Sequence, residues 1–428
     1  MTETSDDIRG LPARRAALDL LTAALARRSG LDEAAGANAF RGLEPRDRAF
    51  ARALTLAALR HLGPIDRALE ARLAKPPPEA VKNILRLGAA QAFAMGAPAY
   101  AAVAASVDLA AASAATRPFK GLVNAVLRKL TREPPNLADP EALAPSWLFA
   151  RWRAAYGEDT ARAIAAVIAT EPATDLSLKA ADPTLAGALE AESLAGGSLR
   201  TAKRGDVSAW PGFDDGTWWV QDANAAVPAR LLDAQPGQTA LDLCAAPGGK
   251  TLQLAATGAS VTALDRSAAR LERLKENLER TGLAAEIITA DAATWEDPRR
   301  FEAVLLDAPC SATGTFRRNP DVLWAAKPGD IAALAGVQAR MLDAAAAKVA
   351  PGGRLVYCVC SLEPEEGEAQ TTGFLARHPE FRIEPALPGE AGAPEASLTP
   401  DGALRLLPQH RAGGGDGFYA VRFRRTPQ

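Results

Sequence analysis

From Gln238 onward, the short apolar runs TALDLC, SVTALD, AEIITA, FEAVLLD and GRLVYCV alternate with stretches of helical length. Most of these runs are too apolar to expose one face to water, so they read as strands buried on both sides. Such strands need helices on both faces, and helices placed between them impose parallel connections. The pattern restricts this part of the chain to an open, mostly parallel α/β sheet. In such sheets ligands bind beyond the carboxyl ends of the strands, so the residues that follow each run carry most of the functional information. Gly352-Gly353 marks a turn before the last run, 384–403 is Pro/Gly-rich loop, and GFYAVRFRR reads as a closing strand.

The front of the chain has none of this alternation. Residues 1–135 carry apolar residues at helical spacing, such as Ala17, Leu18, Leu21 and Leu25. Helices are expected at 14–29, 45–62, 65–74, 78–95, 100–115 and 120–131. Arg14, Arg15, Arg27, Arg28, Arg46, Arg48 and Arg52 are expected on their outer faces. Leu87 to Val107 is 21 residues without charge, long enough to cross a bilayer. It is mostly Ala and Gly, however, and Pro98 interrupts it, so two buried helices are expected and no membrane span. Glu133–Pro145 holds four prolines and reads as a linker. A mixed piece, 146–235, follows. The expected division is 1–135 helical, 136–235 linker plus mixed α/β extension, and 236–428 an α/β catalytic domain.

The formal net charge of the 428 residues is −2, which argues against a polyanion partner until it is divided. Residues 1–135 hold 20 Lys+Arg against 13 Asp+Glu, a net of +7, and the remainder holds 29 against 38, a net of −9. A basic helical front points to RNA. The four cysteines, none before Cys244, do not form a disulfide framework and indicate a reducing, cytoplasmic setting. The start, MTETSDDIRG, is acidic and polar and is no signal peptide. Three scattered histidines leave no ligand set for a metal and no Ser-His-Asp triad.

Three motifs stand at strand ends. LDLCAAPGGKTLQLA (241–255) is a strand, a Gly-rich turn and a helix start, the arrangement that lets backbone N–H groups approach a ligand. It is neither a phosphate-binding Walker loop nor a dinucleotide fingerprint, so a nicotinamide dehydrogenase is disfavoured. Asp265 ends the next strand, 23 residues after Asp242, a spacing suited to an acid that binds ribose hydroxyls. Asp291 and Asp307 end the third and fourth strands. Any of these acids could instead cap the following helix. DAPCSATGTFRRNPD (307–321) places Cys310 just beyond a strand end, and RLVYCVCSLEPEEGE (354–368) places Cys360 at another. Cys358 reads as a small buried hydrophobe.

Two thiols beside a nucleotide-like cofactor suit alkylation of a pyrimidine at carbon 5. Carbon 5 of cytosine is a poor nucleophile until a thiolate adds to carbon 6, and cysteine is the side chain best suited to that addition. The base must be extruded from any helix.

CAAPGGKT, DAPCSATGTFRRNPD and YCVCSLEPEEGE resemble the signatures of the RNA 5-methylcytosine methyltransferases of the NOL1/NOP2/Sun family, over residues ~145–428. EPRDRAFARALTLAALRHLGPIDRAL, APAYAAVAASVDLA and FKGLVNAVLRKL are similar to the NusB domain. The resemblance implies a multidomain protein with an all-α NusB-like domain and a Rossmann-like class I methyltransferase domain. It implies S-adenosylmethionine as cofactor and 16S ribosomal RNA as substrate. Transfer RNA, or a non-catalytic role in ribosome assembly or antitermination, are the alternatives. It also implies that Cys244, Ala245, Ala246, Pro247, Gly248, Gly249 and Lys250 form the cofactor loop. Asp265 would bind ribose, Asp291 adenine, and Asp307 would lie beside the methionine moiety and the target base. Cys360 would be the nucleophile and Cys310 would assist product release. TDLSLKA (174–180) departs from the family's usual Arg-Val-Asn ending, with Lys179 near the Asn position. Arg317 and Arg318 are expected in a local RNA groove.

Overall fold

A computed structural model describes residues 10–27 and 30–427. Arg28, the end of the first expected helix and the acidic start lie outside the described residues. The chain divides into two compact units, residues 1–171 with 319–326, and residues 172–318 with 327–428.

The first unit is helical. Its helices include Leu11–Ala26, Pro45–Arg60, Leu62–Glu70, Glu79–Ala89, Ala99–Ala111 and Lys120–Arg132. Their apolar stripes meet in one core that includes Ala17, Leu21, Leu54, Ile65, Ile84 and Leu127. The charge-free stretch is two helices, as Pro98 implied. The first ends in a π-helical turn, Ala90–Ala94, and the second starts at Ala99. Among the described residues no helix is long and apolar enough to cross a membrane. Short helices at Gly30–Gly36 and Asn38–Arg41 were not expected from the sequence.

Residues 136–171 were expected in the linker and mixed extension, yet they belong to this unit as the helices Pro140–Leu143, Ser146–Tyr156 and Glu158–Ala166. Leu148, Trp152, Ile164 and Ile168 are buried. Arg60 donates to the carbonyls of Ile168 and Thr170, both at 3.3 Å. Residues 319–326 also belong here. Their short helix, Asp321–Ala325, carries Trp324, whose Nε1 donates to the Leu59 carbonyl at 3.0 Å.

The second unit holds two sheets. The smaller consists of β1 (Thr174–Leu178), β2 (Ala191–Ser193), β3 (Ser198–Thr201) and β4 (Trp218–Val220), antiparallel in the order β2-β3-β1-β4. Leu176, Leu199, Trp210 and Trp218 form its core. The larger contains β5 (Thr239–Leu243), β6 (Ser260–Asp265), β7 (Glu286–Thr289), β8 (Phe301–Asp307), β9 (Val349–Val359), β10 (Phe381–Ile383), β11 (Leu404–Leu406) and β12 (Phe418–Arg425). Its order is β10-β12-β9-β8-β5-β6-β7, with β11 paired to β12. β5 to β9 run parallel, while β10 and β12 pair antiparallel. All five apolar runs are therefore strands.

Burial on both faces follows from residue alternation. Leu241, Val304, Leu306, Leu355, Tyr357 and Val421 enter one core. Their neighbours Ala240, Ala303, Leu305, Val356, Cys358 and Ala420 enter the other. The helices Gly249–Ala256, Ala268–Thr281 and Pro328–Lys348 alternate with the parallel strands.

Candidate active site

The Gly-rich motif leaves β5 through Cys244, whose φ is +65°, and enters its helix at Gly249. Gly248 takes φ +113°, and a Cβ there would come within 2.4 Å of Leu274 Cδ1, so glycine is required on both counts. The loop is pinned to β6. The Ala245 N–H donates to the Leu264 carbonyl at 3.0 Å, and the Ala246 N–H donates to Asp265 Oδ2 at 3.1 Å. The other oxygen of the buried Asp265 accepts from the Ser267 N–H at 2.9 Å.

Just before the loop, within β5, Asp242 is fully buried. Thr251 Oγ1 donates to its Oδ2 at 2.6 Å, while Oδ1 has no protein partner. Burial, set against the Thr251 hydrogen bond, pushes its carboxyl up to about 7. Burial also pushes the Cys244 thiol upward, helped by the charges of Asp307 and Asp265. Asp291 stands two residues past β7, exposed, with Oδ1 accepting from the Ala293 N–H at 2.9 Å. That is a turn-capping role, one of the alternatives open to each strand-end acid.

Asp307 ends β8, and it is the hinge of the site. Lys250 Nζ lies 2.7 Å from its Oδ2, and the Cys358 thiol donates to its Oδ1 at 3.5 Å. Lys250 also sits 5.2 Å from the centre of the Phe418 ring. Burial opposes its charge, but Asp307 and nearby thiols outweigh that and hold the ammonium above its usual range. Although it stands at a helix start, Lys250 is only 11% exposed and is paired. Cys358 is fully buried, as expected of a core residue, yet it also touches the site.

The two motif cysteines meet. Cys310 Sγ and Cys360 Sγ lie 3.4 Å apart, as thiols and not as a disulfide. Backbone bonds between the two strand exits hold them. The Ala308 N–H donates to the Cys358 carbonyl and the Gly314 N–H to the Cys360 carbonyl, each at 3.0 Å. Gly314 packs against Gly417 so closely that a Cβ would come within 2.1 Å of the Gly417 carbonyl oxygen. The hydrogen bond with Cys360 and burial push the Cys310 thiol well up, so it stays protonated at neutral pH. The charges on Lys250 and Arg318 both lie within electrostatic reach of the Cys360 sulfur.

Glu366 was missed by sequence reasoning. It is fully buried and accepts from the Ser311 N–H at 2.8 Å, from the Ser311 and Ser361 hydroxyls, and from Gln338 Nε2 at 3.0 Å. It thus ties together the residues that follow Cys310 and Cys360. Its signal was available as an acid inside the motif that begins at Tyr357.

The expectation of an RNA groove at Arg317 and Arg318 does not hold for Arg317. Its side chain is 1% exposed and donates to Asp222, with the buried Asp175 and Asp416 at 3.9 and 4.0 Å. Arg318 donates through Nε and Nη2 to Asp416. Lys179 is likewise engaged, donating from Nζ to the Thr281 carbonyl at 2.5 Å. Among the described residues no cluster of His, Cys, Asp or Glu could hold a metal ion.

Comparison with known proteins extends the geometry. Residues 229–424 match the family model described as 16S rRNA methyltransferase RsmB/F, and residues 11–132 match that of the NusB family. The chain is 38% identical over 408 residues to the Ribosomal RNA small subunit methyltransferase B of Sodalis glossinidius, covering 90% of this chain and 91% of the relative. It is 39% identical over 374 residues to the protein of the same name from Xanthomonas campestris, covering 80% and 82%. Among solved structures, PH0851 superimposes with a TM-score of 0.78 at 24% identity, over 97% of this chain and 99% of that one, a likeness of fold. A methyltransferase homolog from Pyrococcus horikoshii superimposes with a TM-score of 0.54 at 26% identity, over 70% of this chain and 98% of that one. The chain belongs to the 16S rRNA methyltransferase RsmB/F family, as an S-adenosylmethionine-dependent rRNA methyltransferase that carries a NusB domain at its front.

Proposed function

We propose that this protein methylates carbon 5 of a cytosine in small-subunit ribosomal RNA, through a covalent bond between Cys360 and carbon 6. The observation that carries the proposal is the Cys310–Cys360 pair, 3.4 Å apart at the carboxyl edge of the sheet. A single-displacement methyl transfer to a nitrogen or oxygen needs no thiol, and two converging thiols have a use in the carbon 5 reaction.

The cofactor loop and strand-end acids fit S-adenosylmethionine by the chemistry of their groups. Residues Cys244 to Lys250 supply backbone donors, Asp265 a buried carboxylate for ribose hydroxyls, and Asp291 an exposed acceptor for the adenine amine. When bound, the cofactor supplies an electrophilic methyl carbon. The chain's residues do the rest. The Cys360 thiolate adds to carbon 6, aided by the positive charges of Lys250 and Arg318 and by a hydrogen bond from the protonated Cys310. The electron pair released at carbon 5 would form the new carbon–methyl bond as the cofactor's methyl–sulfur bond breaks, its electron pair leaving on the cofactor's sulfur. The Lys250–Asp307 pair offers a proton donor and an acceptor to the polar edge of cytosine. The carbon 5 proton then leaves to a base, the carbon 6–sulfur bond breaks, and Cys360 regains its electron pair. Cys310, in contact with that sulfur, is placed to assist the last step.

The reaction fits a cytoplasmic protein with reduced thiols. Residues 1–135 are proposed to hold RNA through exposed cations such as Arg15, Arg46 and Arg52, while 136–171 packs with that helical unit and 172–235 extends the catalytic domain of 236–428. Bisulfite sequencing of total RNA from a strain lacking the protein, complemented with wild-type or Cys360→Ala chain, tests the proposal. One 16S cytosine should lose its methyl group in the deletion and regain it only with the wild type. An unchanged 16S pattern, or a lost methyl group in transfer RNA instead, would overturn it.

A further inference from the structure

A cavity of about 540 Å³ lies between the small sheet and the end of helix Gly249–Ala256 remote from the Gly-rich turn. Ser177, Lys179, Gly196, Arg230, Gln253 and Thr257 are among its lining residues. None of them belongs to the thiol site or the cofactor loop.

Arg230 is the unusual member. It sits on the helix Val227–Leu232 and donates from Nη2 to Ser198 Oγ at 2.8 Å, while its buried Nη1 has no protein partner. Among the described residues no carboxylate pairs with it. Burial, reinforced by the charge of Arg411, lowers its pKa to about 10, which leaves it charged at neutral pH. A partly buried cation without a counterion is costly, and a guanidinium cannot escape by losing its proton. A second orphan faces the same space. The Ser177 hydroxyl is 1% exposed and has no partner either. Gly196 stands where a Cβ would come within 2.8 Å of Arg230 Nη1, so the absence of a side chain leaves that donor open. Lys179 also lines the wall, with its ammonium donating to the Thr281 carbonyl. The one acid on the wall is Asp182, whose Oδ1 already accepts from the Thr184 hydroxyl and the Thr184 and Leu185 N–H groups.

We infer that this cavity is a phosphate-binding site in which Arg230 Nη1 and the Ser177 hydroxyl are the waiting donors. A phosphate oxygen satisfies both orphans and supplies the missing negative charge, which water or a neutral ligand would not. The phosphate is either a phosphodiester of the RNA strand, held away from the reacting base, or a free phosphate group.

Thermal unfolding of the full-length protein is the first test, in chloride and in inorganic phosphate at matched ionic strength. The wild type should gain Tm with phosphate, and Arg230→Met should not. In chloride Arg230→Met should melt at or above the wild type, because the uncompensated charge is gone. Ser177→Ala should raise the phosphate concentration needed for half the shift roughly tenfold. RNA binding against salt then separates the sources. A phosphodiester ligand makes the log–log slope of Arg230→Met shallower by about 0.7 to 0.9, whereas a free phosphate leaves the slopes equal while the Tm shift remains. The inference is overturned if phosphate gives the wild type no more Tm than chloride does, or if Arg230→Met melts equally below wild type in both. No readout involves methylation, so the outcome is independent of the thiol mechanism.

Discussion

The catalytic unit holds two polar clusters behind its strand ends, and they use similar groups to opposite ends. One joins Arg200, Arg317 and Arg318 to Asp175, Asp222 and Asp416. Arg200 grips Asp175 with Nε and Nη2 at 2.7 and 2.8 Å, Arg317 donates to Asp222, and Arg318 to Asp416. The three carboxylates are buried, and the cluster ties β1 to four other segments, at Arg200, Asp222, Arg317–Arg318 and Asp416. The other cluster is Lys250, Asp307, Cys358, Cys310 and Cys360. There the Asp307 side chain is 29% exposed, and the Cys310 and Cys360 sulfurs bond to each other. Burial acts on both clusters. It raises Asp416 to about 6 although Arg318 opposes it. In the first cluster each carboxylate has an arginine to answer it, and the result is rigidity. In the second, the Asp307 carboxylate stays partly exposed, within reach of a ligand. A charge pair can serve as a reactive site when part of it stays within reach of a ligand.

That contrast can be broken by substitution, and the largest effect should come from the open cluster. Cys360→Ala should lower methylation by a factor on the order of 10⁴ or more, with the thermal midpoint nearly unchanged, since the thiol supports no core bond beyond Cys310. Activity within tenfold of wild type would remove Cys360 from the mechanism. Cys310→Ala comes next. It should accumulate a protein–RNA adduct that survives denaturing electrophoresis, with multiple turnover slowed far more than the first. An adduct from Cys360→Ala instead would exchange the two roles.

The closed cluster should answer in stability. Asp222→Ala removes the hydrogen-bonded partner of buried Arg317, leaving only Asp175 and Asp416 at 3.9 and 4.0 Å, and should cost about 3 kcal/mol in urea unfolding. If Asp222→Ala unfolds like wild type, the lattice is not what holds these segments.

The smallest effect concerns Asp242, raised to about 7 by burial. A carboxyl with a raised folded pKa keeps its proton in the folded state after the unfolded chain has lost it. Its contribution therefore falls as pH rises from about 4 to about 7. Asp242→Asn should match the wild-type Tm near pH 4 and exceed it at pH 8. Equal differences at both pH values would show that Asp242 does not titrate in this window.

Much of this architecture is legible in order along the chain. The five apolar runs became parallel strands, and the residues after them, Cys244, Asp265, Asp307, Cys310 and Cys360, therefore fell at one edge. The contact between Cys310 and Cys360 follows once β8 and β9 are neighbours, and both motifs had pointed to it. The small sheet was read only as a mixed piece, because its three- to five-residue strands carry too little periodicity. Helices at 140–166 were hidden by the prolines before them.

The sequence by itself determined the strand and helix alternation, the helical front and the edge at which chemistry stands. Those features depend on burial, and burial imposes a short period on the residues that experience it. Tertiary structure alone decided which charges are spent and which are open. Arg317 answers an aspartate 95 positions away, while Arg230, no different in composition, has none. Nothing local distinguishes the two arginines, because electrostatic pairing acts through space and leaves no period along the chain.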